Sequence, residues 1–346
     1  MRLRAATTTA VLTAALAAGL LPAQAAPSFA PADEAGTSSG KFAPYSFLVI
    51  GDQPYGTTQL SQFPAWISTM NAANPVMTFH VGDIKLSERR CDSAYMTKIL
   101  GLFNKFKTAL IYTPGDNNWT DCSQPVSGGY NPLERLTKLR SVMYPVPGRS
   151  LGQAPIPLSS QSSTGFPENV RVIRDGVVYV VVHTVGENDD LLPWAGRTNA
   201  TPAQKAEQAK RMASAIHTIQ AAFQQAKDTG SRAVTILLHV DMFDPTHTPV
   251  PARLTAYKPL VQTLIDETNQ FKGSVYLFNG DSHEFRNDYP LASGSKWLSI
   301  YGVKGYSTKF QRITVDGDTN VRSFLKVTAN ATTSGPVLTW VALPLS

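Results

Sequence analysis

The sequence predicts an α/β fold of packed β-sheets and amphipathic helices, and three observations predict it. Apolar runs end repeatedly in glycine and an acidic residue, amphipathic segments separate those runs, and a β-only pattern closes the chain. Residues 46–50 run into Gly51-Asp52, 76–81 into Gly82-Asp83, 109–113 through Pro114 into Gly115-Asp116, and 275–278 through Asn279 into Gly280-Asp281. A fifth run, 233–238, ends at His239. Continuous apolar runs suit strands buried on both faces of a sheet, whereas alternation marks a half-exposed one.

Between the runs, 62–72, 93–106, 132–143, 202–226 and 254–269 carry apolar residues at three- and four-residue spacing, the period of a helix packed by one face. Thr201-Pro202 supplies an N-cap and a proline at the first helical position. Strand and helix in alternation make βαβ units around a central sheet, whose ligands collect at the carboxyl ends of strands. The Gly-acid pairs fall there.

Residues 144–167 are loop-like, rich in Pro, Gly, Ser and Gln. Segments 170–173 and 177–184 flank Asp175-Gly176, a dipeptide that supplies the positive φ of a tight hairpin turn. After His283 the pattern turns to strands alone, at 296–303, 310–315, 321–328 and 337–342, with a turn at Asp316-Gly317. These are expected to complete a second sheet packed on the first. No repeat of fixed period is present, so residues 42–346 read as one domain, large enough to bury a full core.

Ahead of that domain, Arg2 and Arg4 precede an apolar Ala/Leu/Val stretch and the small residues of Pro22-Ala23-Gln24-Ala25-Ala26. This is the layout of a signal peptide, residues 1–25, cleaved after Ala25; the stretch is short and Ala/Thr-rich for a membrane anchor. Residues 26–41, rich in Pro, Ser, Gly and Ala, read as a flexible linker. The mature chain is then expected to be secreted or periplasmic, with no membrane attachment. Its formal charge falls from +6 to +4 as the two arginines leave. Scattered mild basicity gives weak support to an anionic substrate and little to nucleic-acid binding, which is not expected. Cys91 and Cys122, the two cysteines, are expected to pair in an oxidising compartment, tying together the loops that each of them closely follows.

Asp52, Asp83, Asp116, His239, Asp281 and His283 stand at those strand ends. Two divalent cations about 3.5–4 Å apart, held by carboxylates and imidazoles, can bind phosphate oxygens and a bridging hydroxide that attacks phosphorus in line. Any one of these residues alone would read as a turn former or a structural histidine. Their recurrence as Gly-Asp, Gly-Asp, Gly-Asp-Asn, His and Gly-Asp-Ser-His does not.

That order resembles the calcineurin-like metallophosphoesterase family, which includes purple acid phosphatases. The family blocks D-x-H, G-D-x-x-[DY], G-N-H-[DE], H and G-H-x-H are matched in order by Asp52-Gln53-Pro54, Gly82-Asp83-Ile84-Lys85, Gly115-Asp116-Asn117-Asn118, His239 and Gly280-Asp281-Ser282-His283. The G-D-I-K and P-G-D-N-x-W-T-D-C stretches are similar to those of small secreted bacterial relatives. The resemblance implies a four-layer α/β/β/α sandwich of two mixed sheets flanked by helices, and metal-dependent hydrolysis of phosphate esters by a metal-bound hydroxide. It implies that Asp83 bridges two metals, that Asp52 and His283 bind the first, and that His239, with Asp116 and Asp281, binds the second. The cofactors would be two divalent ions among Mn, Mg, Fe and Zn, the oxygen-rich ligand set favouring Mg, Mn, Ca or Fe over Zn.

The chain departs from the family pattern at three kinds of place. Asp116 and Asp281 stand for Asn and His. Pro54 replaces a first-metal histidine; Tyr55 beside it either offers a phenolate or packs against the loop. Asn117 replaces the histidine that stabilises the phosphoryl group or protonates the leaving group, and an amide transfers no proton. Asn117 and Lys85 remain the candidates for holding phosphoryl oxygens, though Lys85 reads equally as a solvated lysine. The competing reading is a non-catalytic metal- or phosphate-binding protein on a degenerate phosphoesterase fold; a sugar-binding or adhesion domain has only the β-rich tail behind it. Around the site, His183, Glu187, Asn188, Asp189 and Asp190 are candidates to line the pocket or bind a cation. Asp241 and Asp244 are candidates either to orient His239 or to cap a helix, Arg286 to face substrate, and His80 to lie in the core.

Overall fold

The computed structural model describes residues 42–331 and 335–345. The expected signal peptide and linker lie outside the described residues. β1 (Tyr45–Ile50), β2 (Met77–His80) and β3 (Ala109–Tyr112) are parallel neighbours. A second sheet contains β4 (Ser159–Gln161), β5 (Phe166–Arg174), β6 (Val177–Val181), β7 (Ala233–Leu237), β8 (Ser274–Asn279), β9 (Arg286–Asp288) and β10 (Phe310–Thr314), in the order β4-β5-β6-β7-β8-β10-β9. Its central pairs β6–β7, β7–β8 and β8–β10 are parallel and its margins antiparallel. The chain then returns to the first sheet as β11 (Ser323–Ala329) and β12 (Leu338–Pro344), giving the order β12-β11-β1-β2-β3.

Side-chain alternation builds the layers. Phe47 and Val49 of β1 enter an apolar core shared with Tyr179, Leu237 and Phe278 of the second sheet. Leu48 and Ile50, on the opposite face, pack with residues of α1 (Gly56–Ala72), α2 (Ser93–Phe103) and α3 (Pro132–Met143). On the far side, Val234 and Ile236 of β7 meet α5 (Pro202–Asp228) and α6 (Lys258–Gln270); α4 (Gly186–Asp190) is a single turn. The order is helix, sheet, sheet, helix. Strands buried on both faces have no solvent side to mark, so their apolar runs are unbroken.

The structure corrects three expectations. Residues 296–303 are not a strand: Lys296–Tyr301 forms α7. Ser295 accepts the Trp297 N–H at its start and Gly302 takes the left-handed conformation at its end, so local caps outweigh the β-prone residues between them. Trp297 and Tyr301, four apart, both pack on Phe243. The closing strands do not all extend the second sheet, because β11 pairs antiparallel with β1 and places Leu325 and Val327 between the sheets. The helix expected from 254 starts at Lys258, after two short 3-10 turns (Pro251–Arg253 and Thr255–Tyr257). The Asp175-Gly176 hairpin and the Cys91–Cys122 disulfide are both present.

Candidate metal centre

Asp52 follows β1, Asp83 follows β2, Asp116 follows β3, His239 follows β7, and Asp281 and His283 follow β8. Both sheets therefore point the carboxyl ends of parallel strands at one place. Ligand atoms of Asp52, Asp83 and His239, and separately of Asp116, His239 and Asp281, lie within 4.8 Å of one another. His283 Nε2 adds to the first group at 3.3 Å from Asp52 Oδ1. All six candidate ligands of the sequence thus come together. His239 is common to both compact groups, with Asp83 Oδ2 at 3.5 Å from its Nε2.

The backbone is strained to do this. Asp52, Asp83, Asp281 and His283 have φ of 53°, 52°, 74° and 64°, a left-handed region costing of order 1–3 kcal/mol for a non-glycine residue. Glycine permits the close approach. A Cβ on Gly115 would stand 2.2 Å from Asp83 Oδ1, and one on Gly280 would stand 2.2 Å from Asp52 Oδ2. The Asp281 N–H donates to Asp52 Oδ2 at 3.1 Å, and the Asp241 N–H to Asp281 Oδ2 at 3.0 Å.

His239 is oriented by backbone. Its Nδ1 lies 2.9 Å from the Val81 carbonyl, which can only accept, so that nitrogen carries the proton. Nε2 is left facing Asp116 Oδ1 at 2.9 Å, with Asp281 Oδ1 at 3.6 Å. Asp241 and Asp244 do not orient it. Asp241 receives Arg312 and Ser282, while Asp244 caps Thr246.

The electrostatics ask for positive charge. Burial pushes Asp83 well above the usual carboxylate range, with Asp116, Asp52 and Asp281 adding to the rise and His239 opposing it. Burial, then Asp116, pushes Asp281 up to about 7. Burial works against a charged His239, but Asp83, Asp116 and Asp281 raise it well above its ordinary value. Asp83 Oδ1 is buried and has no hydrogen-bond partner. Crowded carboxylates, an imidazole lone-pair position aimed among them and an orphaned carboxylate oxygen fit divalent cations.

Loop packing holds the cluster rigid. Asn118 Oδ1 accepts from the Gly115 N–H at 2.8 Å and from Tyr112 at 2.7 Å, closing the turn that carries Asp116. Trp119 is a buried plug whose indole N–H donates to His183 Nε2 at 3.1 Å, and His183 Nδ1 faces Glu168 at 2.9 Å. An indole only donates, so His183 is the Nδ1–H tautomer. Burial first, with nearby arginines, lowers its pKa and keeps it neutral. His80 is likewise buried, bound to the Gln53 carbonyl at 2.7 Å.

The other candidates divide. Glu187, Asn188 and Asp189 form a left-handed turn, φ 57°, 57° and 56°. Asp189 is locked by Arg211, Asn188 accepts from the Ala256 N–H at 2.9 Å, and Asp190 accepts from Trp194 at 2.8 Å. Asn188, Asp189 and Asp190 latch the turn rather than line the site, while Glu187 is bonded to Asp121, its carboxyl pushed well above the usual range by burial, then by Asp121 and Asp116; from the turn, the Gly186 N–H reaches Asp116 Oδ1 at 3.3 Å. Arg286 pairs with Glu284 at 3.3 Å. Lys85 donates to the carbonyls of Leu86 and Ser87 at 3.0 and 3.3 Å. Asn117 Nδ2 donates to Tyr55 Oη at 3.1 Å and to the Lys85 carbonyl at 3.2 Å. A cleft of about 360 Å³ opens beside His283, lined by Ser282, Glu284, Asp316 and Asp318 among others. Two contacts carried no side-chain signal in the sequence, the Val81 carbonyl and the Gly186 N–H; the glycine ahead of the acidic run was the only trace of the second.

No family model matches the sequence, and no curated protein matches it. Among solved structures, a dimetal phosphatase from Danio rerio superposes with a TM-score of 0.51 at 10% identity, over 87% of this chain and 99% of that one. GAP50, the anchor in the inner membrane complex of Plasmodium, gives 0.46 at 8% identity over 88% and 89%. The purple acid phosphatase PPD1 from yellow lupin seeds gives 0.42 at 10% identity over 83% of this chain and 49% of that one. Identity this low shows the fold alone, and the dimetal phosphatase shares the two-sheet architecture described above.

Proposed function

We propose that the chain is a metallophosphoesterase that hydrolyses small phosphate esters at a centre of two divalent cations. One observation carries the reading: four carboxylates and two imidazoles from both sheets converge around an orphaned Asp83 oxygen. Asp52, Asp83 and His283 would hold one cation, and Asp116, His239 and Asp281 the other, with Asp83 between them. Such a pair, when bound, supplies a water-derived nucleophile at neutral pH and neutralises phosphoryl charge.

The chain's own residues do the rest. The Val81 carbonyl keeps His239 in the tautomer that presents Nε2, and Trp119 keeps water out beneath the Asp116 loop. Asn117 offers a hydrogen bond to a phosphoryl oxygen but no proton, so the leaving group is protonated by solvent. That favours esters of acidic alcohols and phenols. Lys85 would reach phosphate only by releasing the two carbonyls it binds. The disulfide supports a secreted or periplasmic location, and no described helix is long and apolar enough to cross a membrane.

The test is to measure bound metal and to assay an aryl phosphomonoester and a phosphodiester with Mn²⁺, Mg²⁺, Fe²⁺ and Zn²⁺ added singly. Turnover lost in Asp83→Ala and His239→Ala supports the reading. Absence of turnover with every ion, beside tight phosphate binding, replaces it with the second reading, a binding protein. The specific observation favouring that second reading is that the side chain beside the ligands at position 117 is an amide, bound to Tyr55 Oη and the Lys85 carbonyl, which transfers no proton to a leaving group.

A further inference from the structure

We propose that Arg211 is a positioning residue for the cation assigned to Asp116, His239 and Asp281: it clamps together the two segments that aim the Asp116 carboxylate. The inference rests on the two-cation reading above.

It begins with a run of backbone strain. Glu187, Asn188, Asp189 and Asp190 all have positive φ, at 57°, 57°, 56° and 68°. Asparagine and aspartate visit this region singly, but four such residues in succession make a left-handed turn that L-amino acids do not hold by themselves. Strain of this kind persists only where the surroundings enforce it, and it concentrates at functional sites.

The enforcing contacts are specific. Tyr257 Oη donates to the Val185 carbonyl at 2.7 Å and accepts from the Asp189 N–H at 2.8 Å. Gln208 Nε2 donates to Asp189 Oδ2 at 2.9 Å. Arg211, from the middle of α5, donates one N–H to the Asp189 carboxylate and another to the Asp189 carbonyl, the latter at 3.0 Å.

What the turn delivers is the Gly186 N–H, 3.3 Å from Asp116 Oδ1. The approach suits a glycine, because an added Cβ would stand 3.0 Å from that oxygen. Asp116 is held from behind by its own loop, its carbonyl accepting the N–H groups of Trp119 and Thr120 at 3.1 and 2.9 Å. The Arg211 guanidinium lies over the Trp119 ring, 5.3 Å from its centroid. One side chain therefore touches both the turn that bonds the Asp116 carboxylate and the indole that anchors the Asp116 backbone.

Stability alone does not account for this arrangement. Arg211 and Asp189 are both fully buried, and a buried ion pair is weak evidence for stability because desolvation offsets the attraction. A strained turn and a buried ion pair, each costly, meet beside one candidate ligand. Their joint product is a fixed direction for Asp116 Oδ1, which faces His239 Nε2 at 2.9 Å.

The experiment titrates metal-free protein with Mn²⁺ by calorimetry, the step of this cation being the one lost in Asp281→Asn. The double variant Arg211→Met with Asp189→Asn removes the guanidinium without leaving an unpaired carboxylate, and keeps the acceptor that the Val185 N–H meets at 3.2 Å. The assigned step is expected to weaken about 10–100-fold, with the other step unchanged. Gly186→Ala is expected to weaken the same step. Should the double variant fail to fold, Arg211→Lys, which keeps the charge but gives up the planar fork, is judged by the same criterion. An assigned step unchanged in these variants overturns the inference and leaves the two-cation reading standing. So do two steps weakened alike, the mark of a merely structural residue. A wild type that binds no Mn²⁺ overturns the two-cation reading, and this inference with it.

Discussion

The side-chain amide of Asn117 donates to the phenol oxygen of Tyr55 at 3.1 Å and to the Lys85 carbonyl at 3.2 Å. The carbonyl can only accept, so the amide nitrogen is fixed toward both partners. Asn117 and the Pro54-Tyr55 pair are departures from the pattern the sequence resembles, and the fold puts them in contact. Groups that orient a ligand from behind typically govern about 10–100-fold in metal affinity. Tyr55 in turn donates to Asp83 Oδ2 at 3.1 Å, so Asn117→Ala is expected to weaken Mn²⁺ binding by that factor with the circular dichroism spectrum unchanged. Unaltered affinity would separate the amide from ligand orientation.

The absence of a proton-transferring group at position 117 predicts steep dependence on the leaving group. General-acid catalysis is worth about 10²–10⁴-fold. Aryl phosphates should turn over at least about 100-fold faster than alkyl phosphates of matched size, and Asn117→His should narrow the gap. A flat profile across leaving groups in the wild type would show that another residue supplies the proton.

Asp281 stands in a crowd of like charge, where burial and Asp116 oppose its ionisation. Asp281→Asn relieves that repulsion while removing a ligand. The metal-free variant is expected to be more stable than wild type by about 1 kcal/mol in urea unfolding, in keeping with the usual exchange between site function and stability. The rise in melting temperature that Mn²⁺ gives wild type should be lost. A variant less stable than wild type without metal would refute the electrostatic account.

Two glycines should respond in opposite directions to alanine. At Gly280 the new Cβ would meet Asp52 Oδ2 at 2.2 Å, forcing a ligand to move, so Gly280→Ala should cost about 1–3 kcal/mol and abolish tight metal binding. Gly101, inside α2, has nothing within 4 Å of an added Cβ. Gly101→Ala should stabilise by about 0.5–1 kcal/mol, since alanine gives up less chain entropy in a helix. Thermal unfolding of the pair decides it.

Glu168 predicts the acid limit of stability. Burial alone would raise it, but the His183 hydrogen bond and the Arg140 guanidinium bring it from an ordinary 4.5 down to about 2. Arg140 Nε lies 3.0 Å from Glu168 Oε1. A carboxylate depressed in the folded state stabilises the fold above its unfolded pKa and loses that contribution as pH falls through the folded value. About 3 kcal/mol should therefore disappear between pH 4.5 and about 2, and Glu168→Gln should flatten that limb of a urea-unfolding series. An unchanged slope in the variant would assign acid unfolding to other carboxylates.

Much of the architecture was legible in order of residues. Apolar runs without alternation announced strands covered on both faces, and Asp175-Gly176 announced its hairpin, because these are local or one-dimensional properties. Residues 296–303 misled because Trp297, Ile300 and Tyr301 are common in strands, whereas Ser295 and Gly302 decide the matter as caps. Asp241 and Asp244 left two roles open, and the fold gives them local backbone bonds, because proximity in sequence to His239 is not proximity to its ring.

The sequence by itself determined which residue types stand at the strand ends, in an order that resembles a two-metal ligand set, and that two cysteines were available to tie the loops together. Only the tertiary structure decided that β11 and β12 close the first sheet, that Val81 orients His239, and that Asn117 meets Tyr55. Those relations join residues separated by 62 positions for Asn117 and Tyr55 and by 158 for His239 and Val81. Side-chain periodicity records which face a residue presents, but not which partner from a distant strand will be packed against it.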